Sequence, residues 1–185
     1  MINQFIVEYI DGLWHSIISY YMKNIITIMM ITLAMCASPS LAQTPRTVSG
    51  VVTQVMDADT LRLGNQKIRL WGADALELRQ TCVNAQRQTW NCGSQAQARL
   101  ADLVQNKTIT CVVRGTSYDR LVAQCELNGV DLSRMMVREG WSFDCARYSR
   151  GTYAADQAHA QAAQVGVWHS EFTWPWLTRT RPTTC

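Results

Sequence analysis

Two alternating runs separated by two turn residues constrain the fold of this chain most strongly. The runs are "DTLRL" (59–63) and "QKIRLW" (66–71), and Gly64-Asn65 lies between them. Glycine and asparagine tolerate the positive φ angles that a two-residue hairpin loop requires. The pattern therefore predicts an antiparallel hairpin, and the loop length sets its register.

In that register Thr60 lies opposite Arg69. One face of the hairpin then carries four aliphatic side chains that we expect in the core, namely Leu61, Leu63, Ile68 and Leu70. Simple alternation puts Asp59 on the core side and Arg69 on the other side. A bulge or sharp twist near Asp59 is needed to bring the two side chains together.

Further strands are predicted over 47–56, 108–114 and 120–126, and helices over 95–106, 131–139 and 152–165. Ser94 and Asp131 are the expected N-caps of the first two helices. Five short strands with a helix between the third and the fourth predict a mainly β, α+β fold. The expected architecture is a five-stranded Greek-key barrel of the oligonucleotide/oligosaccharide-binding (OB-fold) class, with three helices.

Residues 1–42 are expected to be an N-terminal extension and a cleavable signal peptide. Met22-Lys23 precedes an apolar run of 13 residues (25–37), which is shorter than the approximately 20 residues of a membrane-spanning helix. A small-x-small pattern ends at Ala42. We therefore expect an exported protein, periplasmic or secreted and without stable membrane association. Its single domain comprises residues 43–185 and ends in a Trp- and Pro-rich tail.

Six cysteines follow the predicted signal peptide, an even number that favours disulfides in an exported domain. Six cysteines allow 15 connectivities. The favoured arrangement joins Cys111 to Cys125 across the second predicted hairpin and Cys82 to Cys92, and leaves Cys145 and Cys185 to close the tail. Some of the six could instead be free buried thiols. The absence of a C-x-x-C pair argues against a zinc site.

Carboxylates are concentrated in one segment, "DADTLRLGNQKIRLWGADALEL" (57–78), together with Arg69. The hairpin brings the two acidic groups to the same end, which gathers hard oxygen ligands suited to Ca²⁺ or Mg²⁺. The alternative is that Asp57-x-Asp59 is a solvated turn and that Arg69 merely pairs with Asp59.

Three separated blocks resemble the staphylococcal nuclease (thermonuclease) family in order and spacing. They are "VMDADTLRL", "IRLWGADALE" and "YDRLVAQCELNGVDLSRMMVREGWS", and the resemblance runs from about Val48 to Trp168. It implies the same barrel with three helices, and a monomeric, Ca²⁺-dependent phosphodiesterase that acts on DNA and RNA.

The resemblance also implies roles for individual residues. They are Asp59, Asp74 and the Ala75 carbonyl as Ca²⁺ ligands, Asp57 beside the metal, Glu77 at the attacking water, Arg69 and Arg120 on the scissile phosphate, and Tyr118 at a terminal phosphate. Tyr148 is an additional candidate for base stacking.

Three positions depart from the family pattern. Ala58 replaces a frequent Gly, Leu76 a usual Pro, and Asp119 a usual Gly whose replacement adds negative charge beside Arg120. None removes a catalytic side chain, but each could lower efficiency. Two rival functions therefore stay open: a non-catalytic nucleic-acid or oligosaccharide-binding module, and an envelope protein that binds Ca²⁺ only for structure.

Overall fold

The computed structural model describes residues 4–35, 44–179 and 185. The chain divides into two compact units, Met1–Thr44 and Pro45–Cys185. In the first unit the helix α1 runs over Gln4–Met35. No helix in the described ranges is both long and apolar enough to cross a membrane. The predicted cleavage position at Ala42 lies outside the described residues.

Ten strands and five further α-helices lie in the part of the second unit that the structure describes. The strands are β1 Thr47–Val55, β2 Thr60–Leu63, β3 Gln66–Leu70, β4 Ala73–Ala75, β5 Cys82–Val83, β6 Thr89–Trp90, β7 Thr108–Ser117, β8 Arg120–Leu127, β9 Val130–Asp131 and β10 Ser142–Asp144. The helices are α2 Cys92–Val104, α3 Leu132–Arg138, α4 Ala146–Ser149, α5 Ala154–Ala163 and α6 Pro175–Thr178, and a 3-10 helix spans Gly166–His169.

Five strands close into a barrel, as the sequence predicted. The sheet order is β3-β2-β1-β7-β8-β9. The strand β3 also pairs with β8 in parallel, and this pairing closes the barrel. The β2–β3 hairpin has the expected register, with Thr60 opposite Arg69. Gly64 has a φ of 57°, the left-handed conformation for which the turn needs glycine.

The barrel core contains the hairpin's predicted apolar face. Leu61, Ile68 and Leu70 are buried, while Leu63 is partly buried at the edge of the same cluster. One face of α2 covers the barrel with Ala96, Leu100 and Val104. Burial of this stripe, rather than intrinsic propensity, accounts for most of the stability of a helix of 13 residues.

The boundaries of two predicted helices need correction. The helix α2 spans Cys92–Val104 instead of 95–106, and Asn91 occupies its N-cap position. Ser94 therefore lies inside the helix, where its hydroxyl donates to the Leu78 carbonyl at 3.3 Å. The predicted helix over 152–165 is observed only over Ala154–Ala163, and it ends there because Gln164 adopts the left-handed conformation. Asp131 caps α3 as predicted, accepting from the Arg134 backbone N–H at 3.1 Å.

Three disulfides are present, and their pairing agrees with the arrangement that the sequence favoured. They join Cys82 to Cys92, Cys111 to Cys125 and Cys145 to Cys185. Cys111 and Cys125 are direct cross-strand partners on β7 and β8. Such bonds fit an oxidising environment.

Aromatic side chains hold the C-terminal tail against the barrel unit. Phe143 of β10 contacts the rings of Phe172, Trp174 and Trp176, with centroid separations of 5.2, 5.0 and 6.2 Å. Trp174 and Trp176 stack on each other at 4.8 Å. The tail is therefore packed into the domain up to the short helix α6.

Candidate active site

A bend at residues 57–59 delivers Asp59 to the open end of the hairpin. The Asp59 backbone N–H donates to the Asp57 carboxylate at 3.0 Å, and the Asp59 carbonyl accepts from Leu70 N–H at 2.8 Å. The chain thus turns before β2 begins, so no bulge is needed at Asp59 within β2. The irregular register lies instead in β1, between Val52 and Gln54.

Arg69 of β3 bridges the two acidic groups of the segment. Its Nη2 lies 2.7 Å from Asp59 Oδ2 and 2.6 Å from Asp74 Oδ1. Both carboxylates are buried, so these contacts are only weakly screened by solvent. The distant acids are brought together as predicted, with one guanidinium between them.

Asp74 occupies the centre of β4, which pairs with β10. Its side chain is completely buried, and Oδ2 has no hydrogen-bond partner among the described residues. A buried carboxylate oxygen without a donor is costly and requires an explanation. A bound cation would provide one.

Glu77 lies in the loop after β4, and α2 supports that loop from behind. The Glu77 N–H donates to Gln80 Oε1 at 3.1 Å, while its carbonyl accepts from the Gln80 N–H at 2.8 Å. A Cβ on Gly93 would lie 1.8 Å from the Glu77 carbonyl oxygen, so only glycine permits this approach. The Cys82–Cys92 disulfide ends beside this contact and fixes the first turn of α2.

Arg120 approaches the same end of the barrel from the start of β8. Its Nη1 donates to the Thr60 hydroxyl at 3.2 Å, and that hydroxyl donates to Asp59 Oδ1 at 2.8 Å. The neighbouring Asp119 forms an ion pair with Lys67. The added charge of Asp119 is therefore matched by a lysine on β3.

Arg179, which the sequence interpretation missed, enters the site from the tail directly after α6. Its Nε lies 2.6 Å from Glu77 Oε1, and its Nη2 lies 2.6 Å from Asp74 Oδ1. No local pattern marks this residue, because it is more than 100 positions from both partners. The Trp- and Pro-rich composition of the tail predicts that it packs on the core, but it does not indicate this contact.

A polar cavity of about 250 Å³ opens among the residues described above. Its walls are Asp57, Asp59, Arg69, Ala75, Leu76, Glu77, Arg120 and Arg179. Tyr118 and Tyr148 do not line it: they are 94% and 57% exposed. Tyr118 occupies the β7–β8 turn, and the Arg147 guanidinium lies 5.7 Å from the ring centroid of Tyr148.

Burial raises the pKa of Asp59 to about 6, although the Arg69 charge opposes this and Asp57 adds to it. Burial lowers the pKa of Arg69, but Asp59 and Asp74 outweigh it and the net shift is upward. The same balance, with Asp74 and Glu77 as the acids, raises the pKa of Arg179. Both arginines therefore stay charged.

Any Ca²⁺ ion at this site would be bound by carboxylate and carbonyl oxygen atoms. No group of three or more His, Cys, Asp or Glu within the described ranges is arranged around a possible metal position. A metal would thus depend on Asp59, Asp74 and a backbone carbonyl such as that of Ala75. Hard oxygen ligands suit this ion, and Asp74 Oδ2 has no partner within the described ranges that would compete with it.

A family model described as staphylococcal nuclease homologue matches residues 67–170, more than half of the chain. The chain belongs to this family. A curated relative is the succinoglycan biosynthesis protein ExoI of Rhizobium meliloti (strain 1021), 28% identical over 120 residues. The match covers 63% of each chain, so this protein spans less than two thirds of that relative's length. Membership of the staphylococcal nuclease family supports a nuclease-type or nucleic-acid-binding function.

Proposed function

We propose that this protein is an exported, Ca²⁺-dependent nuclease that hydrolyses phosphodiester bonds of DNA and RNA. One observation carries the proposal: Arg69, Arg120 and Glu77 line the same cavity as Asp59, and Arg69 also pairs with the buried Asp74, whose Oδ2 has no hydrogen-bond partner among the described residues. A binding module needs cations for phosphate, but it does not need a buried carboxylate oxygen without a donor.

The arginines provide the contacts that a phosphodiester requires. A guanidinium binds two oxygens of a phosphate in a fixed fork, which a lysine cannot reproduce. As water attacks phosphorus, negative charge grows on the non-bridging oxygens, and preorganised cations stabilise that charge. When bound, Ca²⁺ would neutralise further charge at the same phosphate.

Glu77 is the proposed general base. Its carboxylate is partly exposed at the cavity wall, where a water molecule can reach it. A general base must lie within about 3 Å of the water that it deprotonates, directly or through one bridging water. The Glu77–Arg179 ion pair holds the carboxylate in one orientation, which limits the rearrangement needed before attack.

The proposed location rests on the three disulfides. Closed disulfides persist outside the reducing cytosol, in the periplasm or the medium. Residues 22–42 are the proposed signal for that export. Fractionation of expressing cells, with the protein detected by an antibody, tests this part independently of activity.

A second candidate is a non-catalytic module that binds nucleic acid or oligosaccharide. The ExoI relative is named for succinoglycan biosynthesis, which favours an oligosaccharide as the ligand of such a module. This module would bind its ligand equally well with and without Ca²⁺, and it would release no product.

The deciding experiment follows cleavage of a fluorescent single-stranded DNA by the oxidised protein in excess Ca²⁺ and in chelator. We expect Ca²⁺-dependent cleavage that falls by about 100-fold or more in Glu77→Gln, the usual scale for loss of a general base. Glu126→Gln is the matched control, because Glu126 is exposed on β8 and does not line the cavity. Equal activity of Glu77→Gln and the parent would contradict the assignment of the base.

A further inference from the structure

A second polar cavity, of about 610 Å³, adjoins the candidate active site. Glu77 and Arg179 line both cavities, so the second continues from the first on the side of the tail. Its other walls come from the loop after Glu77 and from the tail, and they are Arg79, Gln80, Thr81, Thr173 and Thr178. The two cavities form one continuous polar surface.

The tail side of this cavity is held in place by specific contacts. Gln80 is buried and donates through Nε2 to the Thr173 carbonyl at 2.5 Å, while its Oε1 accepts from Glu77 N–H. Immediately after Thr173, the stacked rings of Trp174 and Trp176 pack against Phe143. The loop and the tail therefore form one fixed wall.

The lining is rich in hydrogen-bond donors and includes a cation without an acid. Arg79 is exposed, and no described residue forms an ion pair or a side-chain hydrogen bond with it. Arg179, in contrast, is already held by two carboxylates. Gln80 and Thr178 already donate to the carbonyls of Thr173 and Pro175. The hydroxyls of Thr81 and Thr173 can donate to phosphate oxygens. An anion with several oxygens matches this chemistry.

We propose that the second cavity is a subsite for the phosphate of a nucleotide next to the scissile phosphodiester in a single-stranded nucleic acid. Arg79 contacts that neighbouring phosphate, and the loop and tail threonines lie around it. The strand crosses from one cavity to the other at Arg179. This inference rests on the proposed function, and it explains why a tail folds against the edge of the site.

The test measures binding, so it does not require turnover. Fluorescence anisotropy with a 10-nucleotide single-stranded DNA, in chelator and over a range of KCl concentrations, reports affinity and its salt dependence. We expect Arg79→Ala to bind about two- to five-fold more weakly, the scale of an exposed ion pair. The slope of log K against log salt should decrease in magnitude by about 0.7, the value for one phosphate contact on a single strand.

Two further variants make the result specific. Arg79→Lys keeps the charge and should retain the parent slope. Arg46→Ala removes another exposed arginine, which lines neither cavity, and it should leave affinity and slope unchanged. A parent-like slope in Arg79→Ala, or an equal loss in Arg46→Ala, would overturn the subsite.

Cleavage in Ca²⁺ separates this inference from the proposed function. A protein that shows the Arg79-specific salt effect but never cleaves DNA would retain the subsite and lose the assignment as a nuclease. A protein that cleaves DNA, with no effect of Arg79→Ala on binding, would remain a nuclease without the subsite.

Discussion

Burial and the nearby Asp57 make the charged form of Asp59 unfavourable, and the positive charge of Arg69 offsets this only in part. The ionised carboxylate therefore lowers the free energy of unfolding in a pH-dependent way. The pKa of Asp59 in the fold is about 6, above its ordinary value of 3.8. Between these values the folded protein holds a proton that the unfolded chain has released. Stability therefore falls as the pH rises from about 4 to 6, and it stays lower above that range.

Asp59→Asn removes this cost in the metal-free protein. We expect its free energy of unfolding at pH 7 to exceed that of the parent by about 1–3 kcal/mol, with the gain shrinking towards zero near pH 4. Urea denaturation in chelator at both pH values measures this. Asp102→Asn, on the exposed face of α2, is the control. A loss of stability at pH 7 would show that the Asp59–Arg69 contact outweighs the cost of burial.

Among the described elements, α3, β8 and α5 meet at one carboxylate. Asp131 caps α3, and its Oδ2 accepts from the Tyr153 hydroxyl at 2.9 Å and from Gln124 Nε2 at 2.7 Å. Burial and the nearby Asp131 charge raise the pKa of Tyr153. The Tyr153 phenol therefore remains a hydrogen-bond donor throughout the physiological pH range. The Asp131 side chain both caps α3 and accepts hydrogen bonds from two neighbouring parts of the fold.

Asp131→Ala should lower the free energy of unfolding by about 2–4 kcal/mol. The cap contributes about 0.5–2 kcal/mol, and the buried hydroxyl left without an acceptor adds about 1–3 kcal/mol. Chemical denaturation measures the loss. Tyr153→Phe, which removes only the hydroxyl contact, should lose about 1 kcal/mol. Similar losses in the two variants would mean that capping contributes little.

At the scale of the whole molecule, the tail and the barrel share the candidate active site. Arg179 pairs with Asp74 Oδ1 and Glu77 Oε1, and it reaches them because the aromatic cluster anchors the preceding residues. A cation that approaches Asp74 must compete with two arginines. The tail should therefore weaken metal binding while it orients Glu77.

Arg179→Ala should bind Ca²⁺ more tightly than the parent, by about three- to ten-fold, since one competing charge near Asp74 is removed. Isothermal titration calorimetry in the absence of substrate measures the affinity. Arg46→Ala is again the matched control for the loss of one positive charge. Weaker Ca²⁺ binding in Arg179→Ala would indicate that the arginine preorganises the carboxylates rather than competing with the metal.

Local patterns determined the hairpin, the barrel class and the Asp131 cap, and the sequence favoured the disulfide pairs without deciding them. Loop length and side-chain alternation act over a few residues, so Gly64-Asn65 was enough to set the register of Thr60 and Arg69. The family resemblance supplied the remaining candidate residues, and the structure brings Asp57, Asp59, Arg69, Glu77 and Arg120 to one cavity. It leaves Tyr118 and Tyr148 outside that cavity.

Only the tertiary structure decided how these charges are shared. The start of α2 depends on the close approach of Gly93 to Glu77. The position of Arg179 depends on the packing of the tail against Phe143, which lies more than 30 positions earlier in the chain. Neither contact leaves a periodic pattern. The sequence by itself determined which groups are available at the site. The tertiary structure decided which of these charged groups pair with each other. A charged group that is removed from water is costly unless it is paired, and the fold determines which opposite charges lie close enough.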